Sequence, residues 1–201
     1  MKNIIKNITR LKHVWIFVPW VALNSCSDFL DRVPQDEIVD ETYWKTQEQL
    51  EMAVTGIYSR VKAKNIIDME NMGENTMWPT TTEYKDIGSG VFPVTQPTVD
   101  NEWRNMYRDI RECNVFLENY KRAQETVPGA NERLAAEVRV IRALGYSFLT
   151  SFYGDIPLIL LPLEPDDPQL YEGRKKQEEV VDFLIKELDE AAAVLPEEIP
   201  T

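Results

Sequence analysis

The side chains able to do chemistry are few, and most gather in two places. Between residues 65 and 100 the sequence carries Trp78, Tyr84 and Phe92 close to Asn75, Glu83 and Asp86. Aromatic faces stack on flat apolar surfaces, and amides and carboxylates beside them hydrogen-bond hydroxyl groups. Such a set suits reversible binding, with Trp78, Tyr84 and Asn75 as its candidate contact residues. The structural alternative is that Trp78 and Phe92 pin the loop to neighbouring helices. The second place is the N-terminal region, where Cys26 is one of only two cysteines, the other being Cys113.

The missing residue types narrow the chemistry further. The sole histidine, His13, lies in a segment expected to be removed, which excludes His-based triads and His-ligated metals. Two cysteines cannot build a Cys-rich metal site. No catalytic residue, cofactor or metal is therefore expected. Glycosidase chemistry needs only two carboxylates, yet among 34 acids no pair stands out. The net charge is -12, and removing the four positive charges of residues 1–25 (Lys2, Lys6, Arg10, Lys12) leaves -16. A surface so negative repels phosphate backbones, so no nucleic-acid partner is expected.

Several elements must position these groups. Residues 1–13 are basic, and Val14 to Leu23 form an apolar run of ten residues. A membrane span needs about 20 such residues, so this is a secretory signal. Its ending, Leu23-Asn24-Ser25-Cys26, resembles a bacterial lipoprotein box, in which the cysteine sulfur receives a diacylglycerol and becomes the new N-terminus. Residues 1–25 are then a signal peptide, Cys26 a lipidation site, and 26–45 a tether. A plain secretory signal with an incidental cysteine is the alternative.

Beyond the tether, 43% hydrophobic residues in amphipathic stripes predict a helical body. Thr46-x-x-Gln49 is a capping box opening a first helix that ends near Lys64. Residues 65–100 lose the helical period. A second helix, from about Asp100 to Ala123, puts Trp103, Met106, Tyr107, Ile110, Asn114 and Leu117 on one face. Asn114 on that face needs partners, expected to be backbone groups of a neighbouring loop. Asn131 is expected to cap a third helix, whose stripe is Leu134, Val138, Ile141, Gly145, Phe148, Leu149 and Phe152. The small Ala143 and Gly145 let a neighbouring helix approach closely. Gly154 and Pro157 stop this helix, and Ile156 to Leu161 leave it extended. A fourth helix carries Val181, Leu184, Ile185, Leu188, Ala192 and Leu195 and is closed by Pro196.

The segment R-A-L-G-Y-S-F-L-T-S-F-Y-G-D-I-P-L (Arg142 to Leu158) resembles the SusD/RagB family, surface lipoproteins of Bacteroidetes-type bacteria. So do Cys26-Ser-Asp-Phe-Leu-Asp-Arg-Val-Pro34, the pattern W-x-x-M-Y-x-x-I-x-x-x-N beginning at Trp103, and the text of the fourth helix. Periodicity alone allows a four-helix bundle; the resemblance implies an all-α fold of tetratricopeptide-like stacked helical hairpins with long irregular loops. It also implies a glycan-binding accessory lipoprotein of the outer membrane, facing the cell exterior. Such a protein captures oligosaccharides or polysaccharides for a SusC-like TonB-dependent transporter in nutrient uptake. Family members are much longer, so residues 46–201 read as an N-terminal helical domain that is incomplete relative to them. A protein-binding helical scaffold at the outer membrane, or a truncated fragment without function, remain as alternatives.

Overall fold

The computed structural model describes residues 43–61, 63–73 and 83–197. These residues fold into α1 (Gln47–Tyr58), α2 (Ala63–Glu70), α3 (Glu83–Gly88), α4 (Pro97–Asn119), α5 (Ala130–Tyr153) and α6 (Gln177–Ala192), with 3-10 turns at Tyr120–Arg122 and Pro168–Tyr171. Among the described residues, β pairing is confined to two isolated bridges, Thr46 with Gln124 and Ile156 with Lys175. No helix among them is long and apolar enough to cross a membrane.

Helix α5 is central because it is apolar on more than one face. Leu134, Val138 and Leu149 from the expected stripe are buried, and so are Ala135, Ala143 and Tyr146 on a second face. The N-terminal half of α5, with Leu134, Ala135 and Val138, packs with α1 and α4, and its C-terminal half, with Ala143, Tyr146 and Leu149, packs with α4 and α6. Helix α4 runs antiparallel to α5: Tyr153 at the end of α5 donates to the Val99 carbonyl (2.7 Å), while Tyr120 past the end of α4 donates to Glu132 (3.0 Å). Helix α6 is also antiparallel, with Gln177 donating to the Thr150 carbonyl (3.0 Å) and Arg139 reaching Glu190 (2.8 Å). The body is therefore all-α, built of successive helical hairpins in the tetratricopeptide manner with irregular loops between them.

Two apolar clusters hold it together. Trp44, Leu50, Val54, Ile57, Phe116, Leu134 and Val138 join α1, α4 and α5. Ile110, Tyr146, Leu149, Ile156, Val180 and Leu184 join α4, α5 and α6. Fully burying a large apolar side chain stabilises by about 1.5–3 kcal/mol, and Phe116, Tyr146 and Leu149 have no exposed surface. Close approach depends on Gly145, where a Cβ would sit 3.2 Å from Ile110 Cγ1.

The helix ends follow the sequence in some places and depart from it in others. The Thr46/Gln49 capping box forms as expected. Gly154 closes α5 at φ +69° and ψ −118°, a conformation that requires glycine. Asn131 does not cap α5: Gly129 is the N-cap, and Glu125 accepts from the N–H groups of Gly129 (3.3 Å) and Asn131 (3.0 Å). Asn131 is instead buried and donates to the Ala123 carbonyl (2.9 Å). Helix α1 stops at Tyr58, and 65–100 is not devoid of helix, because α2, α3 and the start of α4 lie within it.

The register of α6 also differs from expectation. Val180, Leu184, Glu187 and Ala191 face the core, while Val181, Ile185 and Leu188 are 40%, 55% and 43% exposed. Glu187 explains the difference. Its carboxylate is buried against the Arg142 guanidinium, with Nε 3.0 Å from Oε1 and Nη2 on the same oxygen. Arg142 Nη1 also donates to Asn114 Oδ1 (2.8 Å), and Asn114 Nδ2 donates to the Ile159 carbonyl (2.9 Å). The backbone partner expected for Asn114 is therefore present, and an ion pair that burial would otherwise penalise is tied into a hydrogen-bonded network with Asn114.

Candidate functional site

The candidate residues fall unequally within the structure. Cys26, Asn75 and Trp78 lie outside the described residues. Tyr84 is described: it sits on α3, partly buried, with its ring lining a hollow of about 160 Å3 between that helix, α4 and the end of α5. Phe92, Phe152 and Tyr153 share the lining with Met69 and Met72.

Local sequence explains why the hollow exists. Helix α3 is only six residues long, and it is held by close contact with the end of the preceding helical segment. A Cβ at Gly88 would lie 2.6 Å from Met72 Cα and 2.7 Å from the Met72 carbonyl oxygen, so only glycine allows this backbone approach. The Tyr84 hydroxyl then donates to Glu102 Oε1 of α4 at 2.7 Å. Burial, and after it the hydrogen bond and charge of Glu102, push the Tyr84 phenol well above its ordinary pKa, so the ring stays neutral and its hydroxyl remains a donor.

Three signals were not legible in the chain. The partner of Tyr84 is Glu102, eighteen residues away, and not the nearby Glu83 or Asp86. Phe152, part of the expected core stripe, is 44% exposed and lies parallel to Phe148 at 6.4 Å between centroids. Tyr153 completes the wall: its hydroxyl is bonded to Val99, and burial, with the charge of Glu102, pushes its pKa up to about 12. Phe92, placed by sequence among the candidate aromatics, is 42% exposed and does line the hollow.

Trp103 takes a structural role. It packs edge-on against Tyr153 at 4.9 Å and lies beneath the Arg174 guanidinium at 5.3 Å. The G-D-I-P-L segment is structural too. Asp155 accepts from the Gln177 N–H (3.0 Å) and from Lys176 Nζ (3.1 Å), capping α6. These bonds hold its carboxyl below the usual carboxylate range. Ile156 exchanges backbone hydrogen bonds with Lys175, and the Pro157 carbonyl accepts from Tyr107 (2.7 Å). Among the described residues no group of three or more His, Cys, Asp or Glu is placed to hold a metal ion.

Comparison with known proteins bears on the family and the fold. A family described as starch-binding and associating with the outer membrane matches residues 28–201. SusD-like protein P25 of Formosa agariphila is 26% identical over an alignment covering 92% of this chain and 38% of the relative. A SusD-like protein of Bacteroides ovatus is 25% identical, with 87% and 33% covered. Among solved structures, a SusD-like carbohydrate-binding protein from Bacteroides fragilis superposes with a TM-score of 0.70 at 24% identity, covering 80% of this chain and 34% of that one. A second SusD-like protein from the same species gives 0.68 at 24% identity, with 85% and 34% covered. The chain thus spans about a third of the length of these relatives, and over that span its helices follow theirs. With the family pattern running through 28–201, the chain belongs to the SusD-like family.

Proposed function

We propose that this chain is a glycan-binding accessory lipoprotein that captures oligosaccharides at the cell surface for a SusC-like TonB-dependent transporter. The observation that carries the reading is the hollow beside α3. There the Tyr84 ring is fixed by Glu102 next to Phe92 and Phe152, in a chain whose family is described as starch-binding. Aromatic faces with a carboxylate at their edge match a sugar ring, which offers an apolar face and a rim of hydroxyls. The role is binding and not catalysis. Residues 1–25 act as signal peptide, Cys26 carries the lipid, 26–45 tether the protein, and 46–201 form the helical domain. Thioether-linked acyl chains together with an N-acyl chain make a firm anchor, since a single chain binds only marginally.

The test replaces Trp78 and Tyr84 together by Ala and measures oligosaccharide affinity by calorimetry. Affinity is expected to fall about tenfold, the equivalent of about 1.4 kcal/mol, with an unchanged circular dichroism spectrum. Equal affinity in parent and variant would move both residues to a structural role. A second reading, contact between the helical face and another protein segment, is favoured by the outward apolar row Val181, Ile185 and Leu188 of α6.

A further inference from the structure

Helix α4 presents a polar row to the cleft. Glu102, Asn105 and Asp109 recur at spacings of three and four, which places them on one side of the helix. All three line a second hollow of about 90 Å3, between α4, α5 and the end of α1, whose other walls include Met106, Leu144 and Phe148. This hollow adjoins the one beside α3, with Glu102 and Met69 lining both. Across from the polar row stand Phe152, in the first hollow, and Phe148, in the second, with rings 5° from parallel.

We infer that the two hollows form one trough for a linear oligosaccharide of at least two sugar units. Phe152 and Phe148 serve as its apolar wall, and Glu102, Asn105 and Asp109 as its hydroxyl-binding wall. Length is the first argument. From Glu102 to Asp109 is two helical turns, about 10 Å along the axis, more than one sugar ring covers. Chemistry is the second. The walls differ in character as the two aspects of a sugar chain do, with aromatic rings on one side and an alternation of carboxylate, amide and carboxylate on the other. Glu102 stands at the junction, where it accepts from Tyr84 through Oε1. The α3 segment is thereby coupled to the middle of the trough. Asp109, already receiving Arg108 Nε at 3.2 Å, closes the far end with a charge-balanced pair.

This inference rests on the glycan-binding reading above and adds to it the position, direction and minimum length of the ligand. It is tested on the full chain with an array of linear oligosaccharides of two to eight units, followed by calorimetry on a homologous series of the glycan that binds. In the parent, affinity is expected to rise from the monosaccharide to longer members before levelling. Asn105→Ala and Phe148→Leu are expected to weaken binding of the longer members roughly tenfold while leaving the shortest binder within about twofold. Phe148→Leu keeps an apolar side chain where Phe148 packs, and circular dichroism and the melting temperature of both variants check the fold. If the long members bind both folded variants as tightly as the parent, the trough is wrong and the glycan-binding reading stands. Affinity that is the same for every length in the parent also overturns the trough. If no glycan on the array binds the parent, both fall together.

Discussion

The buried pair formed by Arg142 and Glu187 gives a sharp test of how this body is held together. Replacing Glu187 by Leu leaves the Arg142 guanidinium, 7% exposed, without its counter-charge. Removing one partner of a buried pair costs about 3–5 kcal/mol. The lower half of that range applies here, because Arg142 keeps Asn114 Oδ1 at 2.8 Å and the face of Phe183 at 5.8 Å. For a chain of this size each kcal/mol lowers the melting temperature by about 2–4 °C, so a drop of roughly 6–16 °C is expected. The double variant Arg142→Met with Glu187→Leu removes both charges and leaves only Asn114 short of a donor, a cost of about 1–3 kcal/mol. It should therefore be more stable than the single variant and less stable than the parent. Urea unfolding followed by circular dichroism measures all three, with an unchanged m-value as the sign that the same transition is compared. A single variant within 1 kcal/mol of the parent, or a double variant below the single, would refute the account.

Three further outcomes are expected. Cys26→Ala should move the protein from the membrane fraction to the soluble fraction, and retention in the membrane would show that the anchor lies elsewhere. Ile185→Glu, on the exposed row of α6, should change stability by no more than about 0.5 kcal/mol, whereas Val180→Glu, on the fully buried row, should abolish cooperative unfolding; the reverse pattern would restore the register expected from sequence. The Asp155 carboxyl is held low by the Gln177 N–H and the Lys176 side chain. A depressed folded pKa contributes stability above the unfolded value, about 3.9, and loses it as pH falls through the folded value. The melting-temperature gap between the parent and Asp155→Asn should thus be open at neutral pH and close in acid, and a gap constant with pH would exclude this role.

The fold was legible where burial and hydrophobicity coincide. The α5 stripe, the α1 capping box, the Gly154 stop and the need of Asn114 for a loop carbonyl all follow from residue type and spacing. The reading failed where a charge is buried. Arg142 belongs to the recognisable R-A-L-G-Y segment, yet a formal charge reads as solvent-facing until its partner is known, and Glu187 lies 45 residues away. That same Glu187 interrupts the row Val180, Leu184, Ala191 and makes the neighbouring row, Val181, Ile185, Leu188, look like the core face. One unseen ion pair therefore accounts both for the missed network and for the rotated helix.

The site was less legible than the fold because binding depends on which aromatic rings remain uncovered, and helical periodicity reports only the opposite property. Phe148 and Phe152 share the stripe of Leu134 and Leu149. What separates them is where the partners stop: Ile110 of α4 lies against Gly145, whereas Phe152 falls within the last turn of α5, beyond the deepest packing. A stripe that outlasts its partner becomes surface, and at that place the short α3 brings Tyr84 onto Glu102. Neither side of the hollow predicts the other, since α3 is too short to show a period and Glu102 reads as an ordinary surface acid on a helix of alternating charge. The physical requirement that unites them is geometric. An exposed ring next to a carboxylate needs two elements from distant sequence to meet, and here that meeting is permitted by the absence of a Cβ at Gly88.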